Sequence, residues 1–239
     1  MNARDLIFGP LLAALVVAAW AATLWLGLAG LDWSRLWPLA PLVIAVQCWL
    51  YVGIFIIVHD AIHGTLVPGH PRANRVAGRV LALLYAGFSF DRLAEKHHAH
   101  HRHSGTAEDP DFSADHPIAF WPWYREFFAT YFGLGQVAVL ALASVLLSLT
   151  GLPLWRLLTF WALPSILSSL QLFYFGTYLP HRHEDHGFAD QHNARSLEMP
   201  WLLSLLTCFH FGHHHTHHAR PGVPWWRLPR AAALEGDRS

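Results

Sequence analysis

The sequence predicts an all-α integral membrane protein: four transmembrane helices in two hairpins, with a cytoplasmic histidine-rich di-metal cap. Three observations predict it. The chain of 239 residues is 54% hydrophobic and 13% charged, about half the charged fraction of an ordinary globular domain. Its apolar residues gather into runs long enough to cross a hydrocarbon layer of about 30 Å, which takes about 20 helical residues. Its 19 histidines gather instead into short boxes outside those runs.

The first run, 6–31, is apolar apart from Thr23. It is too long for the apolar part of a signal peptide and is expected to stay as a span. The polar break Asp32-Trp33-Ser34-Arg35 is too short to hold a domain, so the second run, 36–58, returns through the membrane. His59-Asp60-Ala61-Ile62-His63 follows at once. Residues 65–74 carry Pro and Gly and read as a loop. Residues 79–90 are apolar but too short to span, and read as an interfacial or re-entrant helix leading into Lys96-His97-His98-Ala99-His100-His101-Arg102-His103.

An acidic, proline-bearing stretch, 106–117, and the aromatic cluster Phe120-Trp121-Pro122-Trp123-Tyr124 precede the third run, 127–149. Thr150-Gly151-Leu152-Pro153 turns it into the fourth, 154–179, where Pro164 is expected to introduce a kink. Beyond lie a histidine-bearing loop, a short apolar piece at 201–211 and the third box, His213-His214-His215-Thr216-His217-His218. An amphipathic stretch, 220–229, and a tail expected to fray, 231–239, complete what reads as one membrane domain, 1–239.

Two hairpins place all three boxes on one membrane face. Of the 16 lysines and arginines, only Arg35 and Arg156 fall on the other, so the excess of positive charge puts the boxes in the cytoplasm. A formal net charge of zero offers no field for nucleic acid. Cys48 and Cys208 sit in apolar runs and read as buried thiols, neither disulfide nor metal ligands.

On a helix, residues three or four apart share a face. That spacing groups His59 with His63, then His97 with His100 and His101, and then His214 with His217 and His218. Eight imidazoles exceed the roughly four ligands of a single zinc, so they imply two metals; imidazole suits iron, copper, nickel and zinc. The boxes supply no clear bridging carboxylate. Residues 59–63 resemble a zinc-protease motif but carry Asp60 where that motif needs a glutamate base, which argues against a membrane zinc hydrolase. A histidine-rich metal transporter is the alternative from another class. It would set its ligands near the bilayer midplane, whereas these boxes lie beyond the ends of the spans.

The order HxxxH, HxxHH, HxxHH around two hairpins resembles the integral-membrane fatty acid desaturase and hydroxylase superfamily. Flanking motifs narrow the resemblance to its bacterial β-carotene 4-ketolases: HDAIHG at 59–64, YAGFSFDRL at 85–93, DPDF at 109–112, FYFGTYLPHRH at 173–183, HNARS at 192–196, SLLTCFHFG at 204–212 and VPWWRLP at 223–229. The resemblance covers residues 58–229. It implies a di-iron oxygenase in the bacterial inner membrane, using O₂ to turn the C4 methylene of a β-ionone ring into a ketone. A carotenoid hydroxylase or a fatty acyl desaturase or hydroxylase is the runner-up.

The same resemblance makes the eight histidines iron ligands and adds a ninth, His181, with His183 as its competitor. His213 and Thr216 stand where an aromatic and an acidic residue are expected, which leaves His213 as an alternative ligand. Asp60, Asp109 and Asp111 are candidates to orient ligand imidazoles. Phe88, Phe90, Phe175, Tyr178, Phe209 and Phe211 are candidate walls for the substrate. His98, His103, His210 and His215 are expected around the site or on helix surfaces, and His70, His116, His186 and His192 on the protein surface. The sequence carries no haem, flavin or NAD motif, so a reduced ferredoxin-type partner is expected to bring electrons. Arg92, Lys96, Arg102, Arg220 and Arg227 are its candidate contacts.

Overall fold

The computed structural model describes residues 3–184 and 187–236, and among these there are helices and loops but no strand. Helix α1 (Ala3–Trp25) closes in a π turn, Leu26–Gly30. A π turn leaves carbonyls without their usual partners. Here the Trp33 indole donates to the Gly27 carbonyl at 2.8 Å, and the Arg156 guanidinium donates to that of Leu28 at 2.8 Å. Asp32 accepts from the Ser34 amide at 3.1 Å, a cap that starts α2 (Trp33–Ile62). Helix α2 is the central element: it packs against α1 and four later helices, and over half of its most apolar window is buried, against 17% in α1.

Where a loop through residue 74 is expected, α3 (Pro71–Ala86) already begins at Pro71. Proline suits a first helical turn, whose amides have no partner in the helix. The apolar stretch from 79 is therefore the second half of one amphipathic helix, with Leu81, Ala82 and Tyr85 inward and Val76, Val80 and Leu83 outward. Gly87, at φ +72°, ends α3 in the left-handed conformation that glycine adopts without strain. Two residues on, Ser89 caps α4 (Phe90–His103) by accepting from the Arg92 amide at 3.4 Å. The Phe90 ring lies where a side chain on Gly78 would stand, so α3 and α4 pack closely.

The third apolar run, expected as one span over 127–149, is broken. Helix α5 (Phe120–Tyr131) stops at Phe132 and Gly133, both extended, and α6 (Leu134–Leu149) leaves at 76° to it. The Gly133 amide donates to Gln136 Oε1 at 3.0 Å, which starts the new helix. Aromatic packing holds α5 down: Phe120, Tyr124 and Phe127 surround the Phe173 ring at 5.1 to 5.4 Å between centroids. Helix α6 has no buried residue.

Helix α7 (Leu154–His181) contains two π turns, Leu158–Ala162 and Phe173–Tyr178. The first directly precedes Pro164, and a π turn is one way a helix absorbs the amide that proline lacks. Three uninterrupted helices (α1, α2 and α7) are thus long and apolar enough to cross a membrane, and the bent pair α5–α6 makes up to four.

Helix α8 (Trp201–Cys208) ends with two consecutive non-glycine residues in the left-handed region, Phe209 at φ 49° and His210 at φ 63°. Such positions are strained, and packing offsets the cost. Phe209 stacks on Trp49 at 4.6 Å, and His210 Nδ1 lies 3.1 Å from Ser204 Oγ. The reversal delivers the chain into α9 (His214–Ala219). The tail expected to fray is instead α10 (Leu228–Gly236), pinned by buried Leu228 and Ala231; residues 237–239 lie outside the described residues.

Candidate metal centre

The ends of α2 and α7, together with α4 and α9, meet at one end of the helical bundle and bring nine imidazoles into two groups. His59, His63, His97, His101 and His217 form the first, and His100, His181, His214 and His218 the second; within each group the ligand nitrogens all lie within 4.8 Å of one another. The Nε2 atoms do the converging. In the first group, His63–His97, His59–His217, His97–His101 and His101–His217 are 2.7, 3.1, 3.1 and 3.0 Å apart. In the second, His181–His214, His100–His218 and His214–His218 are 2.8, 3.1 and 3.1 Å apart.

A ring nitrogen carries either one proton or one lone pair, enough for one good hydrogen bond. His97, His101, His214, His217 and His218 each make two such contacts. A shared cation meets that geometry better: with metal–nitrogen bonds of about 2.1 Å, neighbouring ligand nitrogens fall about 3.0 Å apart. Six of the rings are also held in the neutral form a metal requires. Burial, with the imidazoles of His98 and His100, pulls His63 down to about 3. Burial, with His63 and His100, likewise pulls His101 down to about 2. His97, His214, His217 and His218 are all pushed well below the ordinary histidine value by burial and by one another. The donor set fits two imidazole-ligated metal ions.

The second ring nitrogens show how the ligands are aimed. His100 Nδ1 donates to both oxygens of Asp109, at 2.9 and 3.0 Å, and Asp109 is fixed in turn by the amides of Gly105 and Asp111, at 2.9 Å each. Burial opposes the charge on each partner, yet the pair offsets it: Asp109 is held below, and His100 above, its usual range. His181 Nδ1 donates to the Asn193 carbonyl at 2.8 Å, and Asn193, at φ 44°, ties itself back by donating to the Ser104 carbonyl. Asn193 and Ser104 escaped the sequence reading, although the HNARS motif contains Asn193.

Two of the three candidate aspartates do not orient a ligand. Asp60 Oδ1 is 3.7 Å from His59 Nδ1, beyond hydrogen-bonding distance; its other oxygen accepts from the Trp225 amide at 3.3 Å, tying the C-terminal segment to α2. Asp111 Oδ2 is 3.8 Å from His100 Nδ1, and its other oxygen accepts from the Tyr131 hydroxyl.

His181 stands in the second group, while His183 stacks on Phe112 at 4.9 Å, outside both. His213, which caps α9, also lies outside both groups. His215 pairs with Asp190 at 2.8 Å, His210 is buried behind Ser204, and His186 lies outside the described residues.

An apolar cavity between α3, α5 and α7 opens onto the histidines. It touches His59 and His97 of the first group and His100 and His214 of the second. Of the six expected wall residues, Phe88 and Phe211 line it. The other four do not. Phe90 is spent against Gly78, Phe209 between Trp49 and Trp225, Phe175 against the bundle core, and Tyr178 against Phe120 and Trp123. The wall is supplied instead by Phe55, Tyr85, Phe127, Phe128, Tyr131 and Phe132.

The family model described as fatty acid desaturase matches residues 32–136 and 112–238. A β-carotene ketolase of Paracoccus sp. (strain PC1) is 47% identical over 237 residues, covering 97% of this chain and 95% of the relative. A second, of Paracoccus sp. (strain N81106 / MBIC 01143), is 52% identical over 190 residues, 79% of this chain and 77% of the relative. A zeaxanthin 4-ketolase of Chlamydomonas reinhardtii is 37% identical, and there the match covers 97% of this chain but 54% of the relative. The chain therefore belongs to the fatty acid desaturase family, as a homologue of its β-carotene ketolases.

Proposed function

We propose that this chain is a carotenoid ketolase, an O₂-dependent di-iron oxygenase acting on the C4 methylene of β-ionone rings. β-Carotene becomes echinenone and then canthaxanthin, and hydroxylated carotenoids go on toward astaxanthin. One observation carries the reading: an apolar cavity touches both histidine groups, in a chain 47 to 52% identical to two β-carotene ketolases.

His59, His63, His97, His101 and His217 would hold one iron, and His100, His181, His214 and His218 the other. The metal pair, when bound, supplies the oxidising power to cleave a C–H bond at the expense of O₂ and outside electrons. The rest falls to the protein. Asp109 and the Asn193 carbonyl fix the tautomers of His100 and His181, so that each presents an Nε2 lone pair. The aromatic wall excludes water and packs one ring end of the substrate, leaving the polyene to the bilayer. The C4 hydrogens are allylic and their bonds weak, so a ring held with C4 toward the histidines reacts there. Each hydroxylation consumes one O₂, two electrons and two protons, inserts one oxygen and releases one water. A second hydroxylation at C4 gives a geminal diol, which loses water to become the ketone.

Electrons come from a ferredoxin-type donor on the cytoplasmic face of the inner membrane. The distribution of lysine and arginine supports that orientation. The test is to express the chain in a bacterium that makes β-carotene and to separate the extracted pigments. Echinenone and canthaxanthin, abolished by His100→Ala in an equally abundant variant, are expected. Hydroxylated rings alone would make it a hydroxylase, and unchanged β-carotene with iron-loaded protein and a competent donor would point to acyl lipids.

A further inference from the structure

The cavity wall is not uniformly apolar. Near the metal groups it carries a carboxylate, Asp111, and a phenol, Tyr131. The two are bonded to each other, the Tyr131 hydroxyl donating to Asp111 Oδ1. The Asp111 backbone is held as well, since its amide donates to Asp109 Oδ1 and its carbonyl accepts from the Trp123 indole at 2.8 Å. Its other carboxylate oxygen differs. Among the described residues, Oδ2 has no hydrogen-bond donor; His100 Nδ1, the nearest cation-forming atom, is 3.8 Å away and already given to Asp109. Asp109, on the same loop, has a side chain 0% exposed with every contact made by protein, whereas the Asp111 side chain remains 13% exposed and faces the cavity. Asp111, a candidate to orient a ligand imidazole, is hydrogen-bonded to none.

We infer that Asp111, steadied by Tyr131, is the subsite that retains the alcohol formed by the first oxidation so that the same carbon is oxidised again. The inference rests on the ketolase reading. Its physical basis is a change in what the substrate can offer. β-Carotene has no polar atom, so its ring is held by apolar packing alone. The first oxidation puts an O–H next to a wall that carries an unmatched carboxylate oxygen, and a hydrogen bond forms that the hydrocarbon could not make. That bond holds the ring and fixes the orientation of the remaining C4 hydrogen. The ketone has no O–H to donate, loses the bond and leaves. A site built to accept a hydrogen bond discriminates far more strongly than an apolar pocket does, so one carboxylate oxygen separates a ketone-forming enzyme from one that releases alcohol.

The wild-type protein comes first: if it makes no ketone from β-carotene, the ketolase reading fails before the subsite is in question. Given ketone, Asp111→Leu is expected to keep its iron and to raise the ratio of 4-hydroxy to 4-keto ring ends about tenfold, the low end for losing a hydrogen bond to a carboxylate. An unchanged ratio, or loss of both products, would overturn the subsite. A second measurement needs no variant. In wild-type membranes, a β-ring analogue with a 4-hydroxyl should compete with β-carotene about tenfold better than the same analogue with a 4-ketone. Equal competition by the two would also overturn it.

Discussion

Asp109 grips His100: the imidazole Nδ1 donates to both carboxylate oxygens, at 2.9 and 3.0 Å, and so turns its Nε2 lone pair toward His218. Removing such a partner typically lowers metal affinity or activity 10- to 100-fold. Asp109→Ala should therefore lose iron to a competing chelator at about 10- to 100-fold lower chelator concentration. Asp60→Asn should hold iron as the wild type does, because Asp60 accepts from the Trp225 amide rather than from a ligand.

His181 and His183 are two residues apart but differ in kind. His181→Ala removes one of four nitrogens in its group, and iron per chain measured by metal analysis should fall. Ketone formation should drop by more than the roughly 100-fold that loss of a merely orienting group costs. His183→Ala removes a ring that stacks on Phe112 and should leave the iron content intact.

Gly176 sits on the cavity wall within the second π turn of α7, where a Cβ would stand 3.3 Å from the Phe211 ring. A leucine there would fill cavity space beside the Phe211 ring. Gly176→Leu should retain its iron and lose most of its turnover of β-carotene. A variant as active as the wild type would show that the ring does not enter this way.

The pairs four residues apart were legible in the sequence, because a helix turns that spacing into a shared face: His59 with His63, His97 with His101 and His214 with His218. The partners three residues apart were not: His100 joins His181, His214 and His218 rather than His97, and His217 joins the first group rather than His214. The break in the third apolar run was hidden as well. Phe132-Gly133 is as apolar as the residues around it, and the bend comes from aromatic anchoring of α5 on Phe173. Asn193 escaped because it acts through a backbone carbonyl, which side-chain identity does not advertise.

Protons should oppose the assembled site. His63 is held near 3 and His101 near 2, below their unfolded value of about 6.5. Between those limits the unfolded chain binds more protons than the folded one, so stability falls as pH falls. Metal-free protein in detergent should lose thermal stability from pH 7 toward pH 4, by up to about 1.4 kcal/mol per pH unit for each such histidine. Thermal unfolding measured across that range, with and without added iron, tests it; a flat profile for the metal-free protein would contradict the burial of neutral rings.

The nine nitrogens come from distant points of the chain: His59 meets His217 across 158 residues, and His100 meets His218 across 118. Two ions bound by them would act as cross-links, because closing loops of that length costs chain entropy. Translation reaches the third box only after every apolar helix has been made, so the helices enter the bilayer before the cap can close. Metal binding by the proposed centre would then be a late step of biogenesis. A cell short of that metal would then hold chains with open caps, and its pigment would fall because there is less finished enzyme as well as because each molecule is idle.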